Sequence, residues 1–155
     1  YHHQLTQVAH LARNNPDLVI ILNHFSGPLG VASYATKKEE VYDKWKKDLC
    51  ELSQYKNVYA KLGGLAMPIN GFGFESNPNP PTSNYFMSFQ RQFYLTTIDL
   101  FGPERCMFES NFPVDKYSVS YHVLWNAFKN LVKDFSKADK DHLFYKTASN
   151  VYSIP

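Results

Sequence analysis

The run Leu18-Val19-Ile20-Ile21-Leu22 restricts the fold more than any other feature, because five consecutive aliphatic residues between turn signals leave no side of the segment for water. Such a segment fits a strand covered on both faces in a parallel sheet better than a half-exposed hairpin strand. Upstream, Leu5, Val8 and Leu11, with Ala9 and Ala12, follow helical spacing from Gln4 to Asn14, and Asn14-Asn15-Pro16-Asp17 stops that helix. Downstream, Lys38 to Tyr55 sets Val41, Trp45, Leu49 and Leu52 on one helical face with charges opposite. Val58 to Leu62 then reads as a second short strand, closed by Gly63-Gly64. Phe86, Phe89, Phe93 and Leu100 predict a helix running to Phe101-Gly102-Pro103, and Arg105 to Ser110 a third strand. Leu124, Phe128, Leu131 and Phe135 mark a further helix. A last one opens at Ser136 as N-cap, with Asp139 in the capping-box position, and buries Leu143, Phe144, Ala148 and Val151.

Strands alternating with helices of this length imply parallel βα units, so the fold class is α/β. Three full strands and a stub at Tyr1-His2 amount to about half of an eight-stranded (β/α)8 TIM barrel, which takes ~250 residues. The chain starts without Met and already inside an element, so residues 1–155 read as one portion of a larger barrel. That portion alone is expected to be inactive and, with two open strand edges, prone to aggregate unless the missing N-terminal half pairs with it. Met67 to Ser83, with Asn77-Pro78-Asn79-Pro80-Pro81, is too long and too rich in breakers for a simple connection, and reads as a lid, a substrate loop or mere decoration.

Composition narrows the class. With 44% hydrophobic and 16% aromatic residues over 155 positions, the chain can bury one core, which argues against disorder or a coiled coil. The net charge of +2 is dispersed, and Lys37 to Asp48 mixes both signs along one solvated face, so neither nucleic acid nor a membrane is an expected partner. Cys50 and Cys106 lack any zinc-site spacing and read as reduced core thiols. No apolar run approaches the ~20 residues of a membrane span, and no signal sequence is visible, so a cytoplasmic setting is expected.

In parallel barrels reactive side chains gather at the C-terminal ends of strands. His2 and His3 follow the stub, Asn23-His24 close the aliphatic strand, Lys61 lies in the second, and Glu109-Ser110-Asn111 close the third. Alternation puts Val58, Ala60 and Leu62 under the helices and Tyr59, Lys61 and Gly63 on the barrel's inner face; with Asn111 inward, Glu109 and Met107 join it, and Cys106 and Phe108 face out. Each residue also has a plainer reading. His24 can be a hydrogen-bonded structural histidine, Lys61 and Glu109 a structural ion pair, and Asp115 the cap of a helix starting near Ser118. His10, His122 and His142 read as surface residues, and Tyr85 to Tyr94 as core.

Pro16 to His24 with Gly27 and Pro28, Asn57 to Leu65, Phe101 to Pro113 and the ending Lys146 to Tyr152 resemble, in order, the later strands and terminal helix of the amidohydrolase-2 family, which includes 2-pyrone-4,6-dicarboxylate lactonases and sugar lactonases. The resemblance implies that the chain covers strands five to eight with their helices, with His24 at the end of strand six, His2 near the end of strand five, and a strand-one His-x-His pair upstream of Tyr1. It also places Asn111 where the family commonly carries Asp in Gly-Ser-Asp-Trp-Pro. An amide cannot act as a base at neutral pH, although it can orient water, so either the base falls to a neighbour such as Asp115 or Glu109, or this branch catalyses hydrolysis differently, or activity is lost.

The resemblance thus implies a hydrolase that opens a lactone or related carboxylic ester or amide with activated water. His24, Asn111 and Asp115 are the catalytic candidates, and His2, Lys61 and Glu109 line a small-molecule substrate. The cofactor stays open between a divalent zinc ion in the full-length protein and none. The alternatives are a decayed barrel that binds a small carboxylic acid or a partner without turnover, and a decarboxylase.

Overall fold

The structure, a computed structural model, describes residues 1–155. Three strands, β1 (Ile20–Leu22), β2 (Val58–Leu62) and β3 (Cys106–Phe108), form one parallel sheet in the order β1-β2-β3. Ile20 pairs with Val58, and Ala60 with Cys106, so the strand ends step outward in register. Helices α1 (Leu5–Asn14), α2 (Lys38–Ser53), α3 (Ser83–Phe101) and α4 (Tyr121–Leu131) alternate with the strands, as the periodicity predicts. The final helical stretch is α5 (Lys137–Asp141), a π turn at His142–Lys146 and α6 (Thr147–Tyr152). Ser136 does cap it, accepting from the Asp139 N–H at 3.1 Å.

Several boundaries differ from the sequence expectation. The stub at Tyr1-His2 is no strand: His2–Gln4 forms a 3-10 turn that runs straight into α1. Leu18 and Val19 stay outside β1, about half exposed, because the Leu18 N–H closes a turn onto the Asn15 carbonyl. β3 is three residues long, since Arg105 belongs to a 3-10 turn and the strand ends at Phe108, although the Glu109 N–H still donates to the Leu62 carbonyl at 3.2 Å. Cys50 is exposed; only Cys106 is a core thiol. Leu11 and Phe89, placed on apolar faces by periodicity, are 47% and 45% exposed, and Ala9 and Ala12 make the buried contact of α1 instead.

The core lies between the sheet and α1 to α4. Val58, Ala60 and Leu62 face it at no more than 1% exposure, with Cys106 and Phe108 beside them. Trp45 from α2 is fully buried against Phe93 of α3, and its Nε1–H donates to the Phe25 carbonyl at 2.7 Å. Tyr94 packs edge-on against Phe25, ring centroids 4.7 Å apart, and tilted against Phe128. Arg105 donates to the carbonyls of Ser53, Tyr55 and Phe101 at 3.0 Å each, tying the ends of α2 and α3 to the start of β3. No helix is long and apolar enough to cross a membrane.

Candidate functional site

The polar cluster sits where β1, β2 and β3 end, and unusual backbone builds it. His24, Phe25, Ser26 and Gly27 follow β1 with φ between 52° and 59°, one complete left-handed turn. That conformation costs roughly 1–2 kcal/mol for each L-residue and persists only where packing over-determines it. Here the Phe25 ring is locked against Tyr94, the Trp45 indole holds the Phe25 carbonyl, and the Gly27 N–H returns to the His24 carbonyl at 2.7 Å. The turn swings the His24 ring over Gly64, where a Cβ would lie 2.5 Å from His24 Nδ1. A Cβ on Gly63 would lie 2.1 Å from the Glu109 carbonyl oxygen. The Gly63-Gly64 pair is thus what lets β1 and β3 bring side chains together across the end of β2.

Glu109 is the hub. Its Oε1 accepts from His24 Nδ1 at 2.6 Å and from the His24 backbone N–H at 3.3 Å, and its Oε2 lies 3.7 Å from Lys61 Nζ. Only 17% of the Glu109 side chain is exposed, so these charges interact with little screening. The hydrogen bond to Glu109 raises the His24 pKa above 6.5, with burial opposing it and Coulomb attraction to Glu109 and Asp115 adding to it. Because an ionised carboxylate only accepts, the Nδ1 of His24 carries the proton and Nε2 is the ring nitrogen left for other chemistry.

Behind this pair lies a second one. Asn111 has φ +51°, a region in which Asn is among the few tolerated L-residues, and its Nδ2 donates to Asp115 Oδ1 at 2.8 Å. Asp115 is 1% exposed, and burial raises its pKa to about 6, against the hydrogen bond from Asn111 and the charge of His24, which lower it. The cap of α4 is Ser120, accepting from the Val123 N–H at 3.3 Å, so Asp115 does not cap that helix. The phenol of Tyr94, buried beneath, is pushed well above its usual value by burial and by the negative charge of Asp115 and Glu109.

Five candidates therefore come together: His24, Lys61, Glu109, Asn111 and Asp115. His2 does not join them by any hydrogen bond. It is 2% exposed under the loop after β1, takes the Leu29 N–H on Nδ1 at 3.3 Å, and lies edge-on to Tyr34. Burial lowers its pKa, which keeps it neutral. Residue order marks Gly63-Gly64 as a strand end, with Gly63 on the inner face, and Tyr94 as core; the close approach of β1 and β3 was signalled by a double glycine directly after a strand that carries an inward lysine. No three His, Cys, Asp or Glu side chains converge as a metal-ligand set.

The amidohydrolase family model matches residues 1–154. An uncharacterised protein of Sinorhizobium fredii is 34% identical over 154 residues, covering 99% of this chain and 45% of that protein. An amidohydrolase from Burkholderia multivorans, solved with bound HEPES and again with bound zinc, superposes with a TM-score of 0.83 at 22% identity, over 100% of this chain and 51% of that one. Amidohydrolase 2 from Bifidobacterium longum subsp. infantis superposes with a TM-score of 0.62 at 18% identity, over 98% of this chain and 47% of its own. The chain spans about half the length of each of these proteins, and at such identities the solved structures speak for the fold alone.

Proposed function

This chain belongs to the amidohydrolase family, and on that premise we propose that it is the strand-five to strand-eight portion of a (β/α)8 barrel hydrolase that opens a lactone or similar carboxylic ester. The 2.6 Å contact between His24 Nδ1 and Glu109 carries the reading. A histidine held in one tautomer by a carboxylate, with its pKa raised, is poised to take and return a proton near neutral pH.

In this mechanism a water oxygen attacks the carbonyl carbon while His24 Nε2 accepts its proton. Asn111 contributes Oδ1 to orient that water, since its Nδ2 is committed to Asp115. Lys61 Nζ faces the negative charge that grows on the carbonyl oxygen. The tetrahedral carbon then releases the ring oxygen, which receives the proton back from His24, and the product is a hydroxy acid. Asp115 is too deeply buried to touch substrate and acts through Asn111. The zinc seen in the Burkholderia structure belongs to that protein. The side chains of this chain do not by themselves make a metal site, and no step here is routed through one.

A second reading, a barrel that binds a small carboxylic acid without turnover, is favoured by one observation. Position 111 carries an amide, while Lys61 and protonated His24 together offer an acid two positive partners. The test is to assay the protein from its whole reading frame against sugar and pyrone lactones, with and without chelator, beside His24→Ala. Hydrolysis that falls about 100-fold or more in the variant supports the mechanism. Carboxylate binding by calorimetry without turnover, and turnover gained in Asn111→Asp, would favour the binder.

A further inference from the structure

We propose that Ser118 is a positioning residue for Asp115: its buried hydroxyl turns to donate to Asp115 Oδ2 when that acid ionises, and the bond so formed sets the state in which the carboxyl holds Asn111. The inference rests on the reading that Asp115 acts through Asn111. Asp115 and Ser118 are 1% and 5% exposed, and Asp115 Oδ2 and Ser118 Oγ are both buried polar atoms without a hydrogen-bond partner. Two such orphans three residues apart are rarely coincidental, because an unpaired buried oxygen is expensive and native proteins retain few.

The intervening segment is a 3-10 turn, Val114–Tyr117, and in that geometry side chains at i and i+3 lie one above the other. The spacing is rigid. The Asp115 carbonyl accepts from the N–H groups of both Ser118 and Val119 at 3.0 Å, and the Asp115 N–H donates to the Asn111 carbonyl at 3.1 Å. The Ser118 hydroxyl can turn about χ1 between staggered wells without moving backbone. The other oxygen is already taken by Asn111 Nδ2. The groups facing Asp115 from elsewhere are His24 at the end of β1, Glu109 at the end of β3, and Tyr94 on α3; the Gly64 N–H favours the ionised acid slightly but is not within hydrogen-bonding geometry. None of these saturates Oδ2.

A hydroxyl donating to an ionised carboxylate favours the charged form, so removing it raises the protonation midpoint of Asp115. In the whole protein labelled with carboxyl-13C aspartate, and with Asp115→Asn to assign the resonance, Ser118→Ala is expected to move that midpoint up by roughly one pH unit, and Ser118→Thr to leave it near the parent value. A midpoint unchanged within about 0.2 unit in a folded Ser118→Ala overturns the proposal, as does a Ser118→Thr shift equal to that of the alanine variant. If Ser118→Ala does not fold, Ser118→Cys takes its place, its weaker S–H donor giving a smaller upward shift, and again no shift overturns the proposal. The titration needs no turnover, so a protein without hydrolase activity whose midpoint still moves sinks the proposed mechanism and keeps the Ser118 assignment.

Discussion

The two faces of the three-stranded sheet are built from alternate residues of the same segments, yet they obey different rules. Val58, Ala60, Leu62, Cys106 and Phe108 meet the helices and are at most 8% exposed. Tyr59, Lys61 and Met107 point the other way, and Glu109, just past β3, continues that row with a carboxylate 2.6 Å from His24 Nδ1 and 3.7 Å from Lys61 Nζ. The first face tolerates no charge because nothing there can pair with one. The second depends on charges that need each other. One residue of register shift would exchange the two sets, so the apolar face also fixes where the chemistry sits.

The largest effect is expected from breaking that difference on the apolar side. Ala60→Asp places an unpaired carboxylate at a position 1% exposed, opposite Cys106, and should destabilise by about 4 kcal/mol or more, abolishing cooperative unfolding in denaturant titration. A variant that unfolds within about 1 kcal/mol of the parent would show that this face is not the sealed one.

Glu109→Gln sharpens the other side. It should reduce kcat/KM about 100-fold or more while changing stability far less than Ala60→Asp, because it removes the charge that orients His24 and leaves the core alone. It also changes the pH profile of stability. The folded pKa of His24 is raised, so the stabilisation from its pair is fully present below 6.5 and lost as pH rises through the raised value. Asp115 follows the same sign in a lower window: its folded pKa is raised from 3.8 to about 6, so stability falls between those values as the buried acid is forced to ionise. Glu109→Gln should flatten the upper slope and spare most of the lower one, measured as denaturation midpoint against pH; loss of both slopes together would mean the two pairs titrate as one unit.

The smallest effect belongs to Lys61→Met. The side chain is 24% exposed and 3.7 Å from Glu109, a geometry that contributes about 1 kcal/mol or less to folding. Activity should drop about tenfold through kcat rather than KM, as expected for a group that faces charge developed in the transition state. A rise in KM alone would recast Lys61 as a substrate anchor.

Much of this arrangement was legible in the residue order. Period-2 alternation in Val58 to Leu62 is local and survives in the structure without change. The aliphatic run marked β1, although only Ile20 to Leu22 pair and Leu18 and Val19 stay about half exposed, since pairing depends on where β2 begins. Periodicity failed at Leu11 and Phe89, whose spacing is right but whose neighbours leave them open to solvent. It failed again at Tyr1-His2, where two residues cannot distinguish a strand end from a 3-10 turn.

By itself the sequence determined the alternation of helix and strand, the sealed face of the sheet and which polar residues stand at strand ends, because these follow from the 3.6 and 2.0 periods of the backbone and from the aversion of apolar side chains to water. The sequence already offered Lys61 and Glu109 as an ion pair, and only tertiary structure decided that Glu109 would also hold His24, 85 positions away. It also decided that Asp115 would be buried beneath Asn111 rather than cap a helix, and that His2 would stay out of the cluster. These contacts depend on a left-handed turn at 24 to 27 and on the missing side chains of Gly63 and Gly64, and such close approaches are set by what lies across the fold, which no local pattern records.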